Sequence, residues 1–216
     1  MLVGIVNSSQ GYASMIRQMG HDVVAVNSVL DVHETDFTNI DIVLFTGGAD
    51  INPDFYGHSK HPTTQVWDAA DDLYLSAWTK AGRQCKDPKF IGICRGSQFV
   101  CAMSGGELIQ DCDNHAVGMG HKVFTKYGEG YHVTSTHHQM QFPNKAKHKV
   151  VAWAEGLAEN AEQHINGKKV PVNLPIDYEV VGYPETKALG FQPHPEFKEG
   201  SCRDLFIRCF EEYFGE

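Results

Sequence analysis

One cysteine stands where a nucleophile would. Phe90-Ile91-Gly92-Ile93 reads as a short apolar strand, Cys94 follows directly, and Arg95-Gly96-Ser97-Gln98 opens a helical stretch. The Gly-x-Cys-x-Gly spacing is the thiol counterpart of the G-x-S-x-G turn between strand and helix. Such a turn exposes the nucleophile at the end of its strand, and small neighbours prevent steric collision there. The helix that follows presents its N-terminus to the sulfur, which favours thiolate over thiol. A free cysteine is ordinarily a buried, inert core residue, but the strand, the two glycines and the helix set Cys94 apart. Cys85, Cys101, Cys112, Cys202 and Cys209 lack that setting and are expected to be structural.

A thiolate needs a base to carry its proton, a group to orient that base, and donors for the developing oxyanion. Gln192-Pro193-His194-Pro195-Glu196 supplies the base: His194 follows the apolar run Ala188-Leu189-Gly190-Phe191, and the prolines on either side stiffen its loop. Glu196, two residues on, can bond the far ring nitrogen and fix the tautomer. Thr46-Gly47-Gly48-Ala49-Asp50 follows another apolar run, and its paired glycines allow a tight turn that aims an N–H at the pocket. The Gly48 and Arg95 amides are the expected oxyanion hole.

These residues need a scaffold that brings strand ends together. Leu2–Val6, Asp22–Val26, Asp41–Phe45 and Lys89–Ile93 read as strands, separated by helical stretches near Tyr12–Met19 and Asp71–Lys80, with a further helix over Ser97–Met103. Apolar runs of this length alternating with helices predict an α/β fold, doubly wound on a mostly parallel central sheet with helices on both faces. The second half changes texture. His121–Phe124, Tyr131–Thr134, Val150–Trp153, Tyr178–Gly182 and Ala188–Gln192 predict antiparallel additions, and Arg203–Phe214 a closing amphipathic helix. With no internal repeat or Pro/Gly-rich linker, a single domain over 1–216 is the simplest expectation.

Composition narrows the function classes. The formal charge of −9 opposes a nucleic-acid binder relying on phosphate contacts. The one basic cluster, Lys145-Ala146-Lys147-His148-Lys149, is short enough to be a solvated turn. No run approaches the ~20 apolar residues needed to span a bilayer. The first residues lack the basic region and cleavage site of a signal peptide. Six cysteines without a CxxC pair then suggest free thiols in a reducing cytoplasm.

In this order the pieces resemble the class I glutamine amidotransferase-like superfamily, and within it the peptidase C26 branch, the γ-glutamyl-γ-aminobutyrate hydrolase family. The resemblance extends over nearly the whole chain. It is carried by Thr46-Gly47-Gly48-Ala49-Asp50-Ile51-Asn52-Pro53 with Tyr56-Gly57, by Gly92-Ile93-Cys94-Arg95-Gly96-Ser97-Gln98, and by Gly105-Gly106-Glu107-Leu108 with Gln110-Asp111. Ser135-Thr136-His137-His138-Gln139 and Gln192-Pro193-His194-Pro195-Glu196 complete it. The Asn52-Pro53 and His137-His138-Gln139 signatures point to the hydrolase branch.

The resemblance implies a flavodoxin-like amidotransferase fold and a Cys94, His194, Glu196 triad with the Gly48 and Arg95 oxyanion hole. Gln98 and the Ser135, Thr136, His137 segment would hold the α-amino and α-carboxylate end of a glutamyl group. The implied reaction cleaves a γ-glutamyl amide through a thioester, with no metal or organic cofactor. One departure stands out: family members carry Arg-Asp, then Glu three residues after the Asp, where this chain has Asp71-Asp72 and Leu75.

Three readings compete with a free-standing hydrolase of a small γ-glutamyl amine. One is a glutaminase subunit that passes ammonia to a separate synthetase or nucleotide-modifying partner. Another is a non-catalytic binding module, which the complete triad pattern opposes. The last is a metal site drawn from the twelve histidines, among them His58, His61, His115, His121, His132, His137 and His138. The sequence shows no HExxH or paired Cys/His spacing, and His137 and His138 on a strand would face opposite ways, so no metal is expected. The leaving amine and the oligomeric state have no signature in the chain.

Overall fold

Short, wholly apolar strands can be satisfied only between two covered faces, and the chain arranges them so. The computed structural model describes residues 1–197 and 200–215. Its first half alternates β1 (Leu2–Val6), α1 (Gln10–Gln18), β2 (Asp22–Val26), α2 (Val29–Glu34), β3 (Ile42–Phe45), α3 (Asp68–Gln84), β4 (Phe90–Ile93) and α4 (Arg95–Met103). The second half holds β5 (Glu107–Ile109), β6 (Asp111–Cys112), β7 (His121–Thr125), β8 (Gly130–Val133), β9 (Met140–Phe142) and β10 (Lys149–Ala154). It continues with β11 (Ala161–Ile165), β12 (Lys168–Pro171), β13 (Asp177–Tyr183), β14 (Ala188–Phe191) and the final α5 (Ser201–Phe214).

The central sheet has nine strands in the order β2-β1-β3-β4-β14-β13-β10-β7-β8. From β2 to β14 every pairing is parallel. From β14 onward each pairing is antiparallel. The strand pleat separates two cores. Val43, Phe45 and Phe90 pack with Leu73 and Tyr74 of α3 and Phe99 of α4. Ile42, Leu44 and Ile91 face the other way, against Met15 and Ile16 of α1 and Leu205 and Phe206 of α5. Helices thus cover both faces, as the apolar runs require.

The strands expected in the parallel half form within a residue or two of their anticipated ends. α2 was not anticipated, although its capping box between Ser28 and Asp31 is written in the sequence. Nor were β5, β6, β9, β11 and β12. They build small side sheets, β12-β11-β6 and β5-β9, from short segments that carry Glu, Gln and Lys. The expected strand at Tyr131–Thr134 stops at Val133, and residues 134–139 run without regular structure. Among the described residues no helix is long and apolar enough to cross a membrane.

Candidate active site

Cys94 sits at the sharpest point of the chain. β4 lies between β3 and β14, so its C-terminal end opens between the ends of two parallel neighbours. There Cys94 adopts φ 52°, ψ −107°, a conformation L-residues rarely take. The turn closes only because its neighbours lack side chains. A Cβ on Gly92 would collide with the Gly96 carbonyl, and one on Gly96 with the Phe45 carbonyl. The strained residue is held from several directions. The Cys94 N–H donates to Phe191 O at 2.9 Å, while Cys94 O accepts from the Ser97 hydroxyl at 2.7 Å and the Ser97 amide at 2.9 Å.

His194 reaches the sulfur from the loop after β14, the strand beside β4. Its side chain lies close enough to Cys94 to feel the sulfur, and its Nδ1 lies 2.6 Å from Glu196 Oε1. Burial by itself depresses an imidazole, but the hydrogen bonds to Cys94 and Glu196, with their charges, outweigh it and raise His194 to about 10. The ring is therefore an imidazolium at neutral pH, clamped between sulfur and carboxylate. Phe197 stacks on it at 4.3 Å between centroids and 6° between planes, and the His194 amide donates to Thr134 Oγ1 at 2.6 Å.

The Gly47-Gly48 turn enters from the end of β3. The Gly47 amide donates to the Tyr12 hydroxyl at 2.9 Å, and that hydroxyl lies 3.5 Å from His194 Nδ1. Burial first, then the nearby Glu196 carboxylate, hold the Tyr12 phenol protonated. The Gly48 backbone lies against Arg95, whose Cδ would be 3.3 Å from a Cβ at that glycine. Arg95 begins α4, where first-turn amides have no intrahelical acceptor.

The unusual acid at position 71 meets that side chain. Asp71 is buried, forms an ion pair with the Arg95 guanidinium and accepts from the Asn52 amide at 3.1 Å. Burial pushes its carboxyl upward against the pull of Arg95. The guanidinium also lies 4.1 Å from the centre of the Tyr74 ring. Asp71 is thus a local counter-charge for α4, the helix that Cys94 caps. Leu75 lies on the exposed side of α3, where it lines a surface groove with Val32, His33 and Arg83.

The other expected substrate contacts are placed less simply. A cavity of about 410 Å³ adjoins the His194 loop, with Thr134, Ser135, Thr136 and Phe197 in its wall alongside Val117, Gly118, Met119 and Gly120. The Cys94 sulfur is not part of that wall. Thr136 is exposed there, whereas the Ser135 hydroxyl donates to His115 O at 2.8 Å. Gln98 and His137 turn inward, and both donate to the carbonyl of Gln139, at 3.0 and 2.9 Å. No strand contains His137 and His138, and the two rings have different partners. His138 lies between Asp50 and Asp111, at 3.2 and 3.3 Å.

Sequence reasoning missed several residues that this site uses. Tyr12, Thr134 and Phe197 come from three separate segments, and none carries a local signature; Asp71 stood out as a departure, but its pairing with Arg95 did not. It also did not anticipate that His115, His121 and His137, scattered through the second half, meet around Glu179 of β13.

The family model described as Peptidase C26 matches residues 5–171. The chain belongs to the peptidase C26 family. The match ends before β13, so His194 and Glu196 lie outside it. A glutamine amidotransferase-like protein of Lactococcus lactis is 31% identical over 107 residues, which is 47% of this chain and 43% of that protein. A Mycobacterium tuberculosis protein, provisionally named a glutamine amidotransferase, is 28% identical over 86% of this chain and 58% of its own length. The chain spans about half the length of the curated relatives it matches. Among solved structures, a Thermoplasma acidophilum protein described as part of a GMP synthase superposes with a TM-score of 0.64 at 17% identity, covering 100% of this chain and 98% of that one. A Thermotoga maritima glutamine amidotransferase gives 0.58 at 14% identity, over 98% of this chain and 83% of its own. At those identities the likeness is one of fold, and the fold is that of the class I glutamine amidotransferases.

Proposed function

We propose that this protein hydrolyses γ-glutamyl amide bonds, with Cys94 as nucleophile, His194 as the proton carrier and Glu196 as the group that orients it. The observation that carries this reading is the meeting of a strained Cys94 at a strand-to-helix turn with a clamped imidazolium. Such a pair supplies both a thiolate for attack and a proton for the departing amine. Cys94 Sγ adds to the γ-carbonyl carbon, and the carbonyl oxygen becomes an oxyanion at the Gly48 and Arg95 amides. The C–N bond then breaks as His194 gives its proton to the amine, leaving a γ-glutamyl thioester. Water, deprotonated by His194, attacks that thioester, the C–S bond breaks and glutamate is released.

Membership of the peptidase C26 family supports amide hydrolysis as the reaction class. A second reading has its own support. Solved structures that share the fold include the one described as part of a GMP synthase and one titled PurLQS. On that reading the chain releases ammonia from glutamine for a synthetase partner. Purified protein assayed for glutamate release from glutamine and from γ-glutamyl-γ-aminobutyrate, with and without candidate synthetases, separates the two. A free-standing hydrolase turns over alone, whereas an ammonia-delivering chain waits for its partner. Cys94→Ala is expected to abolish release while the circular dichroism spectrum is unchanged, and release at the wild-type rate would end the proposal.

A further inference from the structure

Behind the His194 loop, buried polar atoms converge without partners. His115, His137 and Glu179 each offer a ligand atom, and these atoms all lie within 4.8 Å of one another. All three side chains are essentially sealed from solvent, at 0%, 1% and 0% exposure. His115 Nδ1, His137 Nε2 and Glu179 Oε2 have no hydrogen-bond partner among the described residues. Buried polar groups are satisfied in nine cases of ten or more, so several orphans at one point call for a missing occupant.

The charges say what kind. Gln139 O can only accept, so His137 Nδ1 must carry the proton that bonds it, at 2.9 Å. The Nε2 of the neutral ring is then a lone pair, and it faces Glu179 Oε2 across 4.0 Å. Two acceptors pointed at each other need a cation or a donor between them. His115 closes the third side, its Nδ1 3.4 Å from Glu179 Oε1 and its Nε2 3.4 Å from Asp177 Oδ2. That is the carboxylate–histidine–metal arrangement, with Asp177 as the outer carboxylate. His121 Nε2 meets Glu179 Oε1 at 2.8 Å and steadies the ligand carboxylate.

We propose that His115, His137 and Glu179 form a binding site for a divalent first-row transition ion, for which two imidazoles and a carboxylate are the fitting donors. Bonds of roughly 2.1 Å require the ligands to draw together by about 1 Å. The way in is the 116–120 turn, which joins His115 to His121 and lines the cavity beside Thr134. The ion is structural. The His115 carbonyl takes the Ser135 hydroxyl and the His137 amide, and the Glu179 carbonyl takes the Gln192 amide, so the site pins the segments on which His194 rests. It stands independently of the amide-hydrolase reading.

The test is metal titration of the full chain after chelator stripping, on wild type and Cys94→Ser. The second protein is needed because Cys94 and His194 could themselves capture a soft metal. Both are expected to bind one equivalent of Zn2+ by calorimetry, with a melting temperature about 5 °C higher at saturating metal. Co2+ is expected to show d–d bands without the sulfur-to-cobalt charge-transfer band that a cysteine ligand gives. His115→Gln should weaken Zn2+ at least about 100-fold, while His61→Gln, in the His61, Asp111, Glu162 group, should not. Absence of stoichiometric binding, a thiolate band, loss of binding in Cys94→Ser, or full affinity in a folded His115→Gln would each overturn the proposal. Should His115→Gln fail to fold, the cobalt spectrum of Cys94→Ser decides alone.

Discussion

Replacing Glu196 with glutamine keeps the shape of the site and removes one charge. In the native arrangement Glu196 Oε1 is 2.6 Å from His194 Nδ1, and with Cys94 it helps lift His194 to about 10 against the downward pull of burial. A hydrogen bond between charged partners contributes about 1.5–3 kcal/mol, and each pKa unit corresponds to about 1.4 kcal/mol. Glu196→Gln should therefore lower the His194 pKa by roughly 1–2 units and kcat/KM for glutamate release about 10- to 150-fold. Stability should respond with a defined sign. A histidine raised on folding contributes fully below its unfolded value near 6.5 and loses that contribution as pH rises through about 10. Wild type should thus lose stability between those limits, and the variant should lose less, over a window that closes sooner. Histidine Cε1–H resonances followed by NMR from pH 5 to 11, together with thermal melts and a glutamate-release assay, read all three. An unchanged His194 titration in a folded Glu196→Gln protein, or wild-type kcat/KM, would refute the reasoning.

Gly47→Ala would place a Cβ 2.6 Å from His194 Cε1 and 2.9 Å from the Tyr12 oxygen. Displacing the imidazole by about 1 Å should reduce kcat/KM roughly 100-fold, and activity within twofold of wild type would show that the ring is not held there. Asp71→Asn leaves the buried Arg95 guanidinium without its counter-charge. That should cost about 3 kcal/mol and lower the melting temperature by roughly 6–12 °C, so an unchanged melt would remove Asp71 as the brace of α4.

Much of the fold could be read along the chain because its causes are local. Ile42–Phe45, Phe90–Ile93 and Ala188–Phe191 are buried at every residue, and only a strand covered on both sides accommodates such runs. Of the side strands, β6 and β11 mix buried with half-buried positions, and β12 is largely exposed. Their pairing depends on what lies across from them, which no window of sequence contains. The same divide runs through the site. Gly92 and Gly96 could be assigned to the turn at Cys94 because the turn's steric demand acts within five residues. His194 and Glu196 could be paired because the loop is short and stiffened by proline.

Tyr12, Thr134 and Asp71 could not be assigned in advance. Each is an ordinary polar residue in its own segment, on α1, after β8 and on α3, and each acquires a role only when the tertiary fold brings those segments to the end of β4. Asp71 shows the limit best. As a departure from the family pattern it reads as a reversed charge, and only the packing of α3 against α4 makes it the partner of Arg95. The histidines make the same point in the opposite direction. Spacing alone argued against a metal, yet three of them come from residues 115 to 137 and meet a glutamate some forty positions later in the chain. Backbone geometry and hydrophobic periodicity act over a few residues, so the sequence by itself determined the strands of the central sheet and the strained turn. The neighbours of a buried polar group are chosen by long-range strand register, and only the tertiary structure decided those.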